Sequence, residues 1–317
     1  MFNAFNKKKP QVNDDGIVII KQTRPGECGG TDATQDTKAP TEIKSDRMTL
    51  FDVTSALGQK MINNDSSDTS ANLGYLSAFA APAENGTFMF LETASRIRHS
   101  NERQTSWALV KENVFLSLVK LVNECDLAKN NGYHSTTHGL PENFGGSVYI
   151  TYASGEKISF SNNQAPVLRR ESAQKIAKLF DSLMNGEKVS LPSVDSIKKI
   201  IFIENRKDGG FTKATLTINE DGSAVNEKAM RFDDTKVYES TKPVSAETVE
   251  AIKKCIVNNG VLAYVGLPSQ ESRFSGKKSL TFIFKDGKEI TVKGGCVLPD
   301  QIHNGFFNIE LEMTTKH

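Results

Sequence analysis

The sequence predicts an α+β fold of two related units, each made of antiparallel hairpins packed with one or two helices. Three observations lead to this prediction. Strand-like runs are joined by Asn-Gly, Ser-Gly or Asp-Gly pairs, whose glycine readily adopts the positive φ that tight hairpin turns require. Single amphipathic segments interrupt these strands, a pattern typical of α+β proteins rather than of doubly wound parallel sheets. The same order of elements then occurs twice along the chain.

The repetition is visible as three pairs of matching segments that fall in the same order along the chain. Each pair joins a turn or a helix end in the first half to its counterpart in the second half. The pairs are 84–86 with 220–222, 121–128 with 256–263, and 152–159 with 284–291. One chance match is common, but three collinear matches favour an internal duplication.

The duplication predicts a division of the chain into a tail and two units. The predicted parts are a flexible N-terminal tail at 1–45, unit one at 46–190 and unit two at 191–317. Within the tail, the β-branched run Ile17–Ile20 is expected to form one short strand, and 25–40 has the composition of a linker. The polar stretch 58–73 has no counterpart in unit two, so we expect an insertion there.

Each unit is expected to contain a strand, a hairpin, an amphipathic helix and a second hairpin, in that order. Apolar residues recur at helical spacing between Val110 and Cys125, and Ser245 is a suitable N-cap for the corresponding helix of unit two. The two ends are expected to differ. The pattern of Arg169–Met184 predicts a helix, whereas the alternation within Gly305–Met313 predicts a strand.

Charge and hydropathy exclude two classes of partner. The chain of 317 residues has 39 Lys and Arg against 38 Asp and Glu, for a net charge of +1. A near-neutral chain has no overall positive field to attract nucleic acid or an anionic membrane, so we expect neither partner. No apolar run approaches the ~20 residues that a membrane-spanning helix needs.

The expected compartment is the cytoplasm. No apolar stretch follows the lysines near the N-terminus, as a secretory signal would require. The four cysteines lie far apart and contain no Cys-x-x-Cys pair, which favours reduced thiols over a disulfide framework.

The most distinctive polar segment is 130–146, which contains His134, His138 and Glu142 at intervals of four residues. On a helix this spacing would align three metal ligands. Two glycines and a proline within the segment argue against a helix, and serine rather than glutamate follows the first histidine. We therefore expect a polar loop with no metal and no cofactor. The loop is still the first candidate for ligand or partner binding, because functional side chains favour loops on rigid scaffolds.

A second candidate for binding is the run of amides Asn162, Asn163 and Gln164. Their side chains have donors and acceptors suited to a peptide or a sugar. The simpler interpretation is that they end a strand and begin a turn before Pro166. The pair Ser154-Gly155 lacks the G-x-S-x-G pattern of a nucleophile elbow and is interpreted as a hairpin turn. No catalytic residue is predicted.

One resemblance accompanies these motifs. The run Gly139-Leu140-Pro141, followed by Tyr152-Ala153-Ser154-Gly155-Glu156, resembles uncharacterised bacterial proteins in which a helix precedes a hairpin with a Gly-Glu or Asp-Gly turn. The resemblance covers 105–185 and, more weakly, 245–300. It implies a bacterial source and a duplicated α+β unit. No activity is known to us for such proteins, so the resemblance assigns no functional residue.

We expect a non-enzymatic bacterial protein that binds a protein or peptide partner, because no catalytic constellation is present and duplicated sheets offer edges and loops for recognition. Two alternatives stay open. One is a hydrolase or metal-dependent enzyme that uses the loop 130–146. The other is an assembly subunit in which the tail strand Ile17–Ile20 pairs with a neighbour's sheet. The sequence does not predict the oligomeric state.

Overall fold

The structure is a computed structural model, and it describes residues 11–12, 17–22, 30–57, 73–95, 103–139, 144–232, 236–268, 277–296 and 298–314. These residues form two β-sheets and four α-helices, so the fold is mixed α+β as predicted. The chain divides into two compact units, and both are assembled from separated segments. Compact unit 1 contains Met1–Ala81, Met89–Ser106 and Glu112–Gly186, and compact unit 2 contains Pro82–Phe88, Trp107–Lys111 and Glu187–His317.

The larger sheet contains ten strands within the described residues. In chain order they are β1 (Gln11–Val12), β2 (Ile17–Gln22), β3 (Thr31–Asp36), β4 (Met48–Ala56), β5 (Leu73–Ala83), β6 (Gly86–Ser95), β7 (Arg103–Val110), β8 (Tyr133–Thr137), β9 (Gly146–Tyr152) and β10 (Lys157–Asn162). Their spatial order is β1-β2-β3-β8-β10-β9-β4-β5-β6-β7. The β8–β10 pair is parallel, whereas β3 pairs with β8 in antiparallel fashion. The sheet is therefore mixed.

Two helices belong to compact unit 1, α1 (Phe115–Glu124) and α2 (Arg170–Met184). The ring centroids of Phe51 on β4 and Phe180 on α2 lie 5.5 Å apart, and both side chains are fully buried. Strand side chains alternate between the two faces of a sheet, so apolar residues that share the face of Phe51, such as Val53 and Ile150, form the core. The residues between them point to the opposite face.

The smaller sheet, in compact unit 2, contains six antiparallel strands within the described residues. They are β11 (Ile197–Asn205), β12 (Phe211–Ile218), β13 (Ala224–Arg231), β14 (Tyr238–Val244), β15 (Lys277–Phe284) and β16 (Glu289–Lys293). The spatial order is β14-β13-β12-β11-β15-β16. Helix α3 (Ala246–Asn258) begins after Ser245, whose hydroxyl accepts a hydrogen bond from the Thr248 amide at 3.3 Å, so the predicted N-cap is confirmed.

The end of the chain differs from the prediction. The segment Gly305–Met313 was expected to form a strand, but it lies within helix α4 (Asp300–Thr314). Its buried apolar side chains recur at helical spacing; they are Ile302, Phe306, Ile309 and Met313. A short apolar run of this kind matches both the two-residue period of a strand and the 3.6-residue period of a helix. Packing against α3 favours the helix. In the described part of the chain, no helix is both long enough and apolar enough to cross a membrane.

The N-terminal region also differs from the prediction. The stretch 25–40 was interpreted as a linker, but β3 lies within it, and the predicted strand Ile17–Ile20 is part of β2. Both strands pair inside the chain's own sheet, with β3 next to β8. The Asp36 amide donates to the Gly132 carbonyl at 2.9 Å, and Ala33 is buried. Pairing with a distant strand thus orders residues whose composition alone favours a loop. The predicted insertion falls mostly on 58–72, outside the described residues.

Candidate functional site

A continuous row of polar side chains crosses the face of the larger sheet that is opposite α1 and α2. It takes one residue from each of six neighbouring strands, and each is paired directly with the next. The row is Thr34, His134, Ser161, Ser147, Thr54 and Ser77. Residues paired across strands share a face, so these side chains form one line, which we call the hydroxyl row.

A cleft of about 560 Å³ lies at the β3 end of the hydroxyl row. Its floor includes Thr34, His134 and Ser159, which come from β3, β8 and β10. The loop after β3, the turn between β9 and β10 and the first residue of β10 line it as well, through Lys38, Glu156 and Lys157 respectively. The volume lies within the range of small-ligand sites, about 300–1,000 Å³.

His134 is the only histidine that lines the cleft among the described residues. Its Nδ1 lies 2.9 Å from the hydroxyl of Ser161, the neighbour in the hydroxyl row. Burial lowers the pKa of the His134 imidazole from its ordinary value of 6.5, and the charge of Lys157 lowers it further. The ring is therefore neutral at pH 7, and Nε2 is left to donate or accept a hydrogen bond in the cleft.

Asn131 ties the loop after β3 to the β9–β10 hairpin. Its side-chain NH2 donates to the carbonyls of Pro40 and Lys157 at 2.9 and 2.8 Å, and its side-chain oxygen accepts from the Ser159 amide at 2.7 Å. The residue is only 3% exposed. Three of the four bonding directions of this side-chain amide serve the chain itself, so the main role of Asn131 is to shape the cleft.

Glu156 has a similar structural role at the other side of the cleft. Its carboxylate accepts hydrogen bonds from the amides of Lys44 and Ser45, at 3.0 and 3.1 Å, and from the Ser154 hydroxyl at 2.8 Å. The bond from the Lys44 amide is the largest cause that lowers the pKa of this carboxyl, followed by the bond from Ser154. The β9–β10 turn is thereby attached to the segment that precedes β4.

The structure separates the predicted loop residues. The segment 130–146 contains strand β8, so His134 lies on a strand and not in a loop. His138 lies outside the cleft, where its exposed Nε2 is 3.3 Å from a carboxylate oxygen of Asp32. Glu142 lies outside the described residues. Among the residues that the structure does describe, no group of three or more His, Cys, Asp or Glu could hold a metal ion.

The side chains of Asn162, at the end of β10, and of Asn163, directly after it, bond to main chain. The Asn163 side chain accepts from the Thr137 amide at 2.8 Å and donates to the Thr137 carbonyl at 2.9 Å, which extends the pairing of β8 with β10. Asn162 caps the turn by accepting from the amides of Gln164 and Ala165, both at 2.8 Å. Neither side chain lines the cleft, and nor does Gln164.

The turn interpretation of Ser154-Gly155 is confirmed, because Gly155 has a φ of 86° between β9 and β10. Sequence reasoning missed Thr34 and Lys38 as cleft residues, and it included Asn131 only as part of the candidate loop 130–146. Thr34 and Lys38 lie in the stretch interpreted as tail, where no local pattern points to a site. Ser159 had a usable signal, since its alternation with buried Ile158 and Phe160 places it on the polar face.

Chemically, the cleft has hydroxyls, a neutral imidazole and charged rims, a set suited to hydrogen bonding with a polar ligand. No protein-family model matches this chain, and no curated protein matches it either. A proposal for the function of this chain therefore depends on the residues of the cleft.

Proposed function

We propose that this chain is a non-enzymatic binding protein whose cleft takes an extended segment of a protein partner. The observation that carries the proposal is the floor of the cleft, where Thr34, His134 and Ser159 offer polar groups from three adjacent strands. An extended peptide has a carbonyl and an amide at each residue, about every 3.4 Å, so such a floor suits it. Ile17 and Pro40 add apolar lining for side chains.

The charges around the cleft also favour a peptide. Lys38 and Lys157 are balanced by Asp36 and Glu156, so the lining has no excess of one sign. A polyanion such as nucleic acid would need a clear positive excess. A peptide with mixed polar and apolar side chains needs no such excess of positive charge. A neutral imidazole at pH 7 serves the same purpose, because it can donate or accept without adding charge.

The described thiols support the proposal of a reducing compartment such as the bacterial cytoplasm. Cys125, Cys255 and Cys296 are free thiols that form no disulfide. Burial is the largest cause that raises the pKa of each of these thiols, so each is protonated and unreactive near pH 7.

A hydrolase is the second candidate, favoured by the contact of Ser161 with His134. A serine within hydrogen-bond distance of a neutral imidazole is the minimal pair for nucleophilic catalysis. Within the described residues, however, no carboxylate is bonded to the ring of His134, as a catalytic triad would have. A fluorophosphonate probe separates the two functions. We expect no labelling, whereas labelling that is lost in Ser161→Ala would establish the hydrolase.

The binding function is tested by panning a random peptide library on phage against the immobilised full chain. Ser159→Arg fills the floor of the cleft, and Ser147→Arg places the same side chain on the same sheet face outside the cleft. We expect selected peptides to bind wild type and Ser147→Arg equally and to lose about tenfold or more in affinity for Ser159→Arg. Peptides that bind all three proteins alike, or no enrichment at all, would contradict the proposal.

We also propose that the two units arose by duplication. The order of elements supports it: α1 is followed by a short 3-10 helix at Leu127–Asn130 and α3 by one at Val261–Ala263, and each half then continues with a hairpin and a helix, α2 or α4. Relatives whose two halves are more alike than those of this chain would support the duplication. Relatives in which the halves diverge at the matched positions would count against it.

A further inference from the structure

Strand β14 lies at one edge of the smaller sheet, and its residues are unusually open. From Tyr238 to Pro243 every residue is exposed, on both faces of the strand. Tyr238 is 52% exposed, and its ring lies edge-on to Phe232, which is 53% exposed, with centroids 6.3 Å apart. An exposed edge strand beside exposed aromatic rings is a template for pairing with another strand.

The direction of the edge's main-chain groups follows from the hairpin before it. The Asn219 amide donates to the Ser223 carbonyl at 2.8 Å, and hydrogen-bonded pairs alternate along an antiparallel ladder. Carried through β13, this alternation directs the even-numbered residues of β14 toward β13. Glu239, Thr241 and Pro243 therefore direct their main-chain groups away from the sheet. Pro243 has no amide hydrogen, which fits an outward position at an edge.

We propose that β14 pairs in antiparallel fashion with β14 of a second copy of this chain, around a twofold axis at Ser240. In this register Glu239 lies opposite the partner's Thr241, and the two residues exchange both of their main-chain hydrogen bonds. The amide of Val237 donates to the carbonyl of the partner's Pro243. The outward amides of Val237, Glu239 and Thr241 all find acceptors, and the missing amide of Pro243 leaves no donor unpaired.

The side chains of this register are self-complementary. Tyr238 lies opposite the partner's Lys242, so an ammonium group meets an aromatic ring on each side of the axis. Within the chain, Lys236 Nζ lies 5.9 Å from the centre of the Tyr238 ring, within the distance of a cation–π contact. Ser240 lies opposite the partner's Ser240, where two hydroxyls can bond to each other.

The neighbouring registers are disfavoured. A twofold axis at Glu239 would place that carboxylate opposite its own copy and Lys236 opposite the partner's Lys242, and like charges directly opposite destabilise a strand pair. An axis at Thr241 would place Tyr238 opposite the partner's buried Val244 instead of Lys242, so both contacts of an ammonium group with an aromatic ring would be lost. Glu239, Tyr238 and Lys242 therefore favour the register around Ser240 over its two neighbours.

Cysteine cross-linking tests this register directly. In the proposed pair the two Ser240 residues form a non-hydrogen-bonded pair, whose Cα atoms lie about 4.5 Å apart, close enough for a disulfide. We expect Ser240→Cys to give a disulfide-linked dimer under mild oxidation, while Lys242→Cys, which is off the axis, and wild type with its native cysteines give no disulfide-linked dimer. Equal cross-linking of both variants, or none of Ser240→Cys, would overturn the proposal.

The role of the main chain is tested with a matched pair at Thr241. Thr241→Pro removes the outward amide without disturbing the β13 ladder, and Thr241→Val keeps that amide and removes only the hydroxyl. In sedimentation experiments up to about 0.5 mM we expect wild type and Thr241→Val to dimerise reversibly and Thr241→Pro to stay monomeric. A wild-type protein that is monomeric over the whole range, or a proline variant that dimerises normally, would refute the pairing.

Discussion

Ser161 Oγ lies 2.9 Å from His134 Nδ1, across the parallel pair formed by β10 and β8. The two residues are directly paired, so the sheet itself sets their distance and no loop has to position either side chain. The bond occupies one nitrogen of the imidazole and leaves Nε2 toward the cleft. The protonation of the His134 imidazole therefore reports on the environment of the site.

The pKa of His134 should lie below its ordinary value of 6.5, because burial disfavours the charged ring and Lys157 repels it. We expect NMR titration to show this directly. Lys157→Ala should raise the pKa only part of the way, since burial is the larger cause. A value above 6.5 in wild type would contradict the described environment.

The same shift makes the free energy of unfolding depend on pH. Because the unfolded chain binds this proton more readily, the contribution of His134 is complete above about pH 6.5 and is lost as pH falls through the folded pKa. Urea unfolding at several values from about pH 5 to pH 8 should show this slope, and it should be shallower in His134→Gln. An unchanged slope would mean that other groups cause it.

Asn131→Ala should lower the free energy of unfolding by about 2–4 kcal/mol, because it leaves buried main-chain groups of the cleft without partners. Asn219→Ala is a suitable control, because that exposed side chain bonds only to Ser223 and its loss should cost less than about 0.5 kcal/mol. Denaturant unfolding of both variants measures the difference. Equal losses would show that the Asn131 bonds do not hold the cleft together.

Arg170 should hold the end of β4 close to the start of β5. Its guanidinium donates to the carbonyls of Leu57 and Leu73, at 2.9 and 3.1 Å. We expect Arg170→Ala to cost about 1.5–3 kcal/mol, and Arg170→Lys to recover only part of that because an ammonium lacks the planar fork.

The neighbour of Arg170 is its control. Arg169 is exposed and makes no side-chain capping bond to α2, so Arg169→Ala should change the free energy of unfolding by less than about 0.5 kcal/mol. Thermal unfolding followed by circular dichroism compares the three variants. A full recovery by lysine would show that charge alone, and not the two-carbonyl geometry, is what matters.

Gly305→Ala should destabilise compact unit 2, because a Cβ there would lie 2.5 Å from the Cβ of Asn259 on the neighbouring segment. We expect a loss of about 1–3 kcal/mol from overpacking. Asn304→Ala, at an exposed position of the same helix, should be neutral or slightly stabilising.

The single tryptophan is a local probe for this pair of variants. The indole of Trp107 donates to the Val257 carbonyl at 3.2 Å, and its ring is stacked with Phe88 at 6.3 Å. Trp107 fluorescence should therefore report the earlier unfolding of Gly305→Ala. If Gly305→Ala were as stable as Asn304→Ala, the close packing of α4 against Asn259 would be contradicted.

Turns and helix starts that a few neighbouring residues specify were predicted correctly. The hairpin turns follow from glycine φ values, as at Gly155 and Gly287, with φ of 86° and 85°. The start of α3 follows from the cap at Ser245. The error at α4 has the opposite cause: a short apolar run fits two periods, and only the surface against which it packs decides between them.

The candidate site was predicted only in part. His134 was a binding candidate because of its spacing to His138 and Glu142, and it lines the cleft, whereas His138 does not. Thr34 and Lys38 had no local signal. Their role depends on pairing between β3 and β8, and a pattern within a short window contains no information about a partner strand so distant in the chain.

The α+β class, the hairpins, the capped helix and the near-neutral charge can all be deduced from the amino-acid sequence. These depend on backbone conformations and amphipathic patterns that a few neighbouring residues specify. The folded chain was needed to show that the N-terminal strands extend the larger sheet, that Thr34, His134 and Ser159 line one cleft, and that β14 lies at a sheet edge. Those outcomes depend on which strands pair, and that choice is made by burial and hydrogen bonding summed over the whole sheet.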